Sequence, residues 1–134
     1  MLDYAVSATR RDSSGSLARV REAAVALDTS LTGRVDALNP VELLLAALAA
    51  CMIKGVERSA PMLGFAFRSV DVQLQAARQD TPPKLLTISY QLTIDTDEPD
   101  RRLELLHTNV RKYGTISNTL AAAVTLTGRV VRKG

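Results

Sequence analysis

The chain is 134 residues long, 46% apolar, 23% charged and 4% aromatic, with one cysteine and no tryptophan. That length suits a single domain, residues 1–134, with its own core, and the apolar fraction excludes a disordered chain. Seventeen Lys and Arg against fourteen Asp and Glu leave a charge of +3, the arginines scattered from Arg10 to Arg132 with few aromatics to stack on bases, so nucleic-acid binding is not expected.

In chain order, Tyr4 to Thr9 alternates as a strand, Asp12 to Ser16 has turn chemistry, and two further strands fit within Leu17 to Leu27. Thr29 to Ala37 is a polar connection. Asn39-Pro40-Val41-Glu42 then starts a helix: Asn39 caps, Pro40 suits the first helical position, and Glu42 reaches back to the Asn39 amide. The continuation, LLLAALAACMIKGVER, is apolar on every side for three turns. Such a helix needs cover all round, and so short a chain has little other material to supply it, so a homodimer is expected. Ala60 to Gly64 is expected to break the helix.

Val70 to Ala76 and Leu86 to Ile94 alternate with period two on either side of Thr81-Pro82-Pro83 and predict an antiparallel hairpin. Asp97-Glu98-Pro99 starts a second helix carrying Leu103, Leu106, Val110 and Tyr113, and Gly114 is expected to end it in a left-handed cap. Ser117 to Thr119 suits a short helical turn, and Val124, Leu126 and Val130 fit a last strand.

The first fifteen residues lack the apolar stretch of a secretory signal. The longest apolar run, Leu43 to Ile53, falls short of the roughly 18 residues a membrane span needs. With a cysteine that has no partner for a disulfide, these features predict a cytoplasmic protein without membrane contact.

One His and one Cys cannot build a zinc site within one chain, and no glycine-rich phosphate loop or G-x-S-x-G elbow occurs. No metal or cofactor is expected. His107 flanks the apolar stripe of the second helix and reads as a partly exposed structural histidine. Cys51 has two readings: a small buried hydrophobe beside Ala49, Ala50 and Met52, or a nucleophile if the fold brings a cation to it.

The run from Asn39 to Cys51, NPVELLLAALAAC, resembles the signature helix of the OsmC/Ohr family, the osmotically inducible and organic-hydroperoxide-resistance proteins. Tyr113 to Leu120, YGTISNTL, is similar to the family's second signature, in which Cys-Pro-Val-Ser usually stands where this chain has Gly114 to Ser117. The resemblance implies an intertwined α+β homodimer with two long central helices. It also implies a peroxidatic role for Cys51 toward hydroperoxides, assisted by an arginine of the N-terminal strands and a glutamate near the start of the signature helix.

This sequence departs from that pattern. Gly114 replaces the resolving cysteine and no other cysteine exists, so an intramolecular disulfide cycle is impossible. Val41 stands where the carboxylate usually follows the proline. Glu42 comes one place later, nine residues before Cys51, which puts it on the opposite side of the helix and about 13 Å along it. Arg19, which alternates with Ala18 and Val20 as Arg21 does, is the candidate cationic partner of the thiol. Two functions stay open: a one-cysteine thiol peroxidase recycled by an external thiol, and a non-catalytic homodimer that binds a small apolar ligand or a protein partner.

Overall fold

The computed structural model describes residues 1–134 and divides them into two compact units, Met1–Leu44 and Leu45–Gly134. The first unit holds β1 (Ser7–Asp12), β2 (Gly15–Val20) and β3 (Ala23–Leu27), an antiparallel sheet in the order β1-β2-β3. The first strand begins at Ser7, later than the alternation from Tyr4 suggests. β2 ends at Val20, and Arg21 falls in the turn with φ 53°, so Arg19 and Arg21 do not share a strand face as expected. Residues 28–38 are organised by Asp28, whose carboxylate accepts from the Ser30 amide and hydroxyl and from the Arg34 amide. Those donors hold its pKa below the ordinary carboxylate value.

Helix α1 (Pro40–Leu63) runs from the first unit into the second. The remaining elements are β4 (Ser69–Gln79), β5 (Lys84–Asp95), α2 (Asp100–Tyr113), α3 (Thr115–Ala121) and β6 (Thr125–Arg132). β4 and β5 form the expected antiparallel hairpin, with Val72 opposite Leu92 and Leu74 opposite Tyr90. β6 lies parallel to β5, which requires a long crossover; α2 and α3 provide it. Ile88, Tyr90, Leu92 and Ile94 of β5 form one core with Leu48, Met52 and Val56 of α1 and Leu103, Leu106 and Val110 of α2. No helix is long and apolar enough to cross a membrane.

Helix α1 ends at Leu63, within the Ala60 to Gly64 segment expected to break it. Pro61 lies in the last turn, and the helix closes after it. Gly64 takes φ +62°, its amide donates to the Pro61 carbonyl, and the Phe65 amide donates to the Ala60 carbonyl. This is the paired closure that a left-handed glycine makes possible. Phe65 is buried beside it, 5% exposed. Arg102 of α2 adds a donor, its Nη2 lying 2.6 Å from the Leu63 carbonyl oxygen.

The left-handed conformation assigned from sequence to Gly114 is therefore found at Gly64. Gly114 has φ −81° and ψ 115°, which any residue adopts. Its constraint is space: a Cβ there would stand 2.8 Å from Ser117 Oγ and 3.0 Å from the Val110 carbonyl oxygen.

Candidate functional site

Cys51 sits at the middle of α1, half-buried, a free thiol with no hydrogen bond. The helix packs Leu48, Met52, Gly55, Val56, Ser59 and Ala60 into the core and leaves another face open. Val41 and Leu44 are each 36% exposed and Ile53 is 39% exposed. Cys51 lies between these faces, next in sequence to the buried Met52 and neither sealed nor fully open. The all-round cover expected for this helix is thus present on one side within the chain.

Glu42 and Asn39 form the reciprocal cap that the sequence predicts. The Glu42 amide donates to Asn39 Oδ1 at 2.9 Å, and the Asn39 amide donates to Glu42 Oε1 at 2.9 Å. This capping box satisfies two donors at the helix start. It also commits the Glu42 carboxylate to the helix end, about 13 Å along the axis from Cys51 on the same helix. Arg19 is exposed on β2, opposite Ser7 and Ala24, and forms no ion pair. It belongs to the first unit and Cys51 to the second.

His107 is half-buried and engaged. Its Nε2 lies 2.6 Å from Tyr90 Oη, and Arg111 Nη1 donates to the same oxygen at 3.3 Å. Tyr90 Oη and His107 Nε2 thus share a short hydrogen bond, and burial favours the neutral imidazole. Burial is the main force that lowers the His107 pKa below 6.5; Glu104, 3.9 Å from Nδ1, opposes it and Arg111 reinforces it. The Tyr90 ring fills the place a side chain at Gly128 would occupy, so Gly128 is what admits this group against β6. Arg111 Nη2 also donates to the Leu126 carbonyl oxygen at 3.1 Å, so the group ties β5, α2 and β6 together.

A set of cations on the Cys51 helix and around Tyr113 escaped the sequence reading. Lys54 and Arg58 follow Cys51 by three and seven residues on α1, and Arg58 reaches the Tyr113 ring, 5.8 Å from its centre. Lys112 Nζ lies 5.4 Å from the same centre. The signal was the spacing Cys51-x-x-Lys54-x-x-x-Arg58, which places two cations on the helix face of the thiol.

The model of the family described as OsmC-like protein matches residues 32–128. That range holds α1, Cys51 and all the elements that follow except the end of β6. No curated protein matches this chain. Among solved structures, an OsmC-like protein from Mycoplasma pneumoniae is similar with a TM-score of 0.91 at 19% identity, covering 99% of each chain. An organic hydroperoxide resistance protein OsmC from Legionella pneumophila gives 0.76 at 20% identity over 97% of this chain and 98% of that one. The organic hydroperoxide resistance protein OhrB of Bacillus subtilis gives 0.66 at 15% identity over 96% and 98%. At these identities the structures speak for the fold, and the family match speaks for descent: the chain belongs to the OsmC-like protein family.

Proposed function

We propose that the protein is a one-cysteine thiol peroxidase for organic hydroperoxides, with Cys51 as the reacting group. The observation that carries this reading is the place of Cys51: a half-buried thiol at the end of the matched signature, on a helix flank that opens toward apolar residues. The Cys51 thiolate attacks the outer peroxide oxygen and the O–O bond breaks. The alkoxide leaves and is protonated to the alcohol, and Cys51 becomes a sulfenic acid. An external thiol condenses with it, releasing water, and a second thiol displaces the first as a disulfide and restores Cys51. The electrons come from thiols and the cycle needs no cofactor. A reducing thiol pool is a property of the cytoplasm, where we place the protein.

The working unit we propose is a homodimer. The exposed apolar residues of α1 and the openness of β1, all six of whose residues are exposed, support it. A stable monomer at micromolar concentration in sedimentation would contradict it.

Two observations favour the second reading, a binding protein without catalysis: Glu42 is committed to the helix cap, and Gly114 stands in place of a second cysteine. Peroxide consumption separates the two. With cumene hydroperoxide and an added thiol, turnover should rise with thiol concentration and vanish in Cys51→Ser. A wild-type rate no faster than that variant would overturn the peroxidase reading and leave the binding protein.

A further inference from the structure

Like most cations of this chain, Lys54, Arg58 and Lys112 have no carboxylate partner; what sets them apart is that two of them lie on the helix that carries Cys51 and the third meets Arg58 at Tyr113. At 3.6 residues per turn, Lys54 and Arg58 share a helix face with Cys51, about 4.5 and 10.5 Å further along the axis. Their Cα–Cβ bonds tilt toward the helix N-terminus, the direction in which Cys51 lies. The Arg58 guanidinium extends over the Tyr113 ring and gives a single donor, at 3.5 Å, to the Tyr113 carbonyl oxygen, so most of its N–H groups stay free. Lys112 stands over the same ring, which is 53% exposed. None of Lys54, Arg58 and Lys112 forms an ion pair. Glu57 is also exposed and pairs with neither Lys54 nor Arg58.

The fold accounts for part of this arrangement: Arg58 donates to the last carbonyl of α2, and Lys112 stands in its last turn. Like charges four residues apart weaken a helix, and Lys54 and Arg58 are such a pair on the face that holds the thiol. Two cations gathered on one exposed aromatic ring, with a third one turn after Cys51 on the same helix, make a strip that suits an anion of small size. Alkyl hydroperoxides carry no charge for it to recognise. Small soluble thiols derived from amino acids carry carboxylates, and guanidinium and ammonium groups are the side chains that bind them.

We propose that Lys54, Arg58 and Lys112, beside the exposed Tyr113 ring, dock the carboxylate of the small thiol that reduces oxidised Cys51. The role in turnover rests on the one-cysteine peroxidase reading. The step is balanced: the thiol sulfur of the carboxylated reductant bonds to Cys51 Sγ, the sulfenic oxygen leaves as water, and a second reductant thiol then attacks the mixed disulfide. The products are the reductant's disulfide and the free Cys51 thiol. Docking places the reductant's sulfur at Cys51, and the absence of a second cysteine in the chain makes that delivery the step that completes the cycle.

The docking claim is measurable at Cys51 without any peroxide. The test compares the rate at which the thiol attacks the dianionic reagent 5,5′-dithiobis(2-nitrobenzoate) with its rate toward neutral 4,4′-dipyridyl disulfide. In the triple variant Lys54→Gln, Arg58→Gln, Lys112→Gln the anionic-to-neutral ratio should fall about tenfold. Lys84→Gln, which removes one cation from the turn end of the β4–β5 hairpin, should leave the ratio near wild type. A ratio unchanged in the triple variant, including the case in which both rates fall together or Cys51 reacts with neither reagent, overturns the proposal. The second arm follows loss of the Cys51 sulfenic acid with 3-mercaptopropionate against 2-mercaptoethanol, where the carboxylated thiol should lead and lose its lead in the triple variant. If the disulfide-reagent ratio falls but no sulfenic acid ever forms, anion docking stands and the peroxidase reading fails. If sulfenic acid forms but the ratio is flat, the peroxidase reading stands and docking fails.

Discussion

In the sheet of β4, β5 and β6, Ile88, Tyr90, Leu92 and Ile94 line one face and are 0–4% exposed. In the sheet of β1, β2 and β3, every residue of β1 is exposed and Val25 of β3 is 45% exposed. Both sheets have three strands, and both have an apolar side: in the first, Ala8, Ala18 and Val25 stand in one cross-strand row. The difference lies in cover. The second sheet has two helices packed into its core, and its apolar row is already a hydrophobic interior. The first leaves Ala8 and Val25 of its row exposed, and a sheet with one apolar face gains its stability from whatever covers that face. The same contrast runs along α1, buried at Leu48 and Met52 and open at Leu44 and Ile53.

The largest expected effect separates the two sheets directly. Leu92→Ala removes a fully buried side chain and should cost about 2–5 kcal/mol in denaturant unfolding. Val25→Ala should cost no more than about 0.5 kcal/mol in dilute solution, the range of an exposed position. A cost at Val25 that grows with protein concentration would place that face in an interface between copies.

A smaller effect tests the start of α1. Glu42→Ala should lower stability by about 0.5–2 kcal/mol through loss of the cap, with Cys51 reactivity unchanged. A collapse of Cys51 reactivity at unchanged stability would give the carboxylate a role in the chemistry instead.

The smallest effect belongs to the helix-covered sheet alone. The folded protein holds the His107 pKa below 6.5, mainly by burial, so the unfolded chain binds the proton more readily. The contribution of His107 is thus fully present above about pH 6.5 and declines as the pH falls toward its folded pKa. Melting temperature should drop between about pH 7 and 5 in wild type, and that part of the drop should disappear in His107→Leu. A wild-type melting temperature flat across this range would contradict a His107 held neutral by burial.

Much of this was legible in the residues. The capping box at Asn39 and Glu42, the β4–β5 hairpin and the second helix ending at Tyr113 all rest on local chemistry, and all are found. What was not legible depended on packing between distant segments. Gly114 reads as a left-handed cap, while its constraint is the approach of Ser117 and Val110. The Tyr90–His107–Arg111 group joins a strand to a helix 17 and 21 residues away, and no local pattern announces it. For the site, the signature run pointed to Cys51, but the meeting of Arg58 and Lys112 at Tyr113 needed the crossing of α1 and α2.

The central claim is that Cys51 reacts with an organic hydroperoxide and stops at a sulfenic acid until an external thiol removes it. Intact-protein mass spectrometry after one equivalent of cumene hydroperoxide tests this most directly, with Cys51→Ser as the control. The account predicts the mass of one added oxygen on Cys51, trapped by dimedone, reversed by added thiol, and advancing to sulfinic acid under excess peroxide. An unmodified Cys51 after exposure that oxidises an ordinary reactive thiol would contradict it.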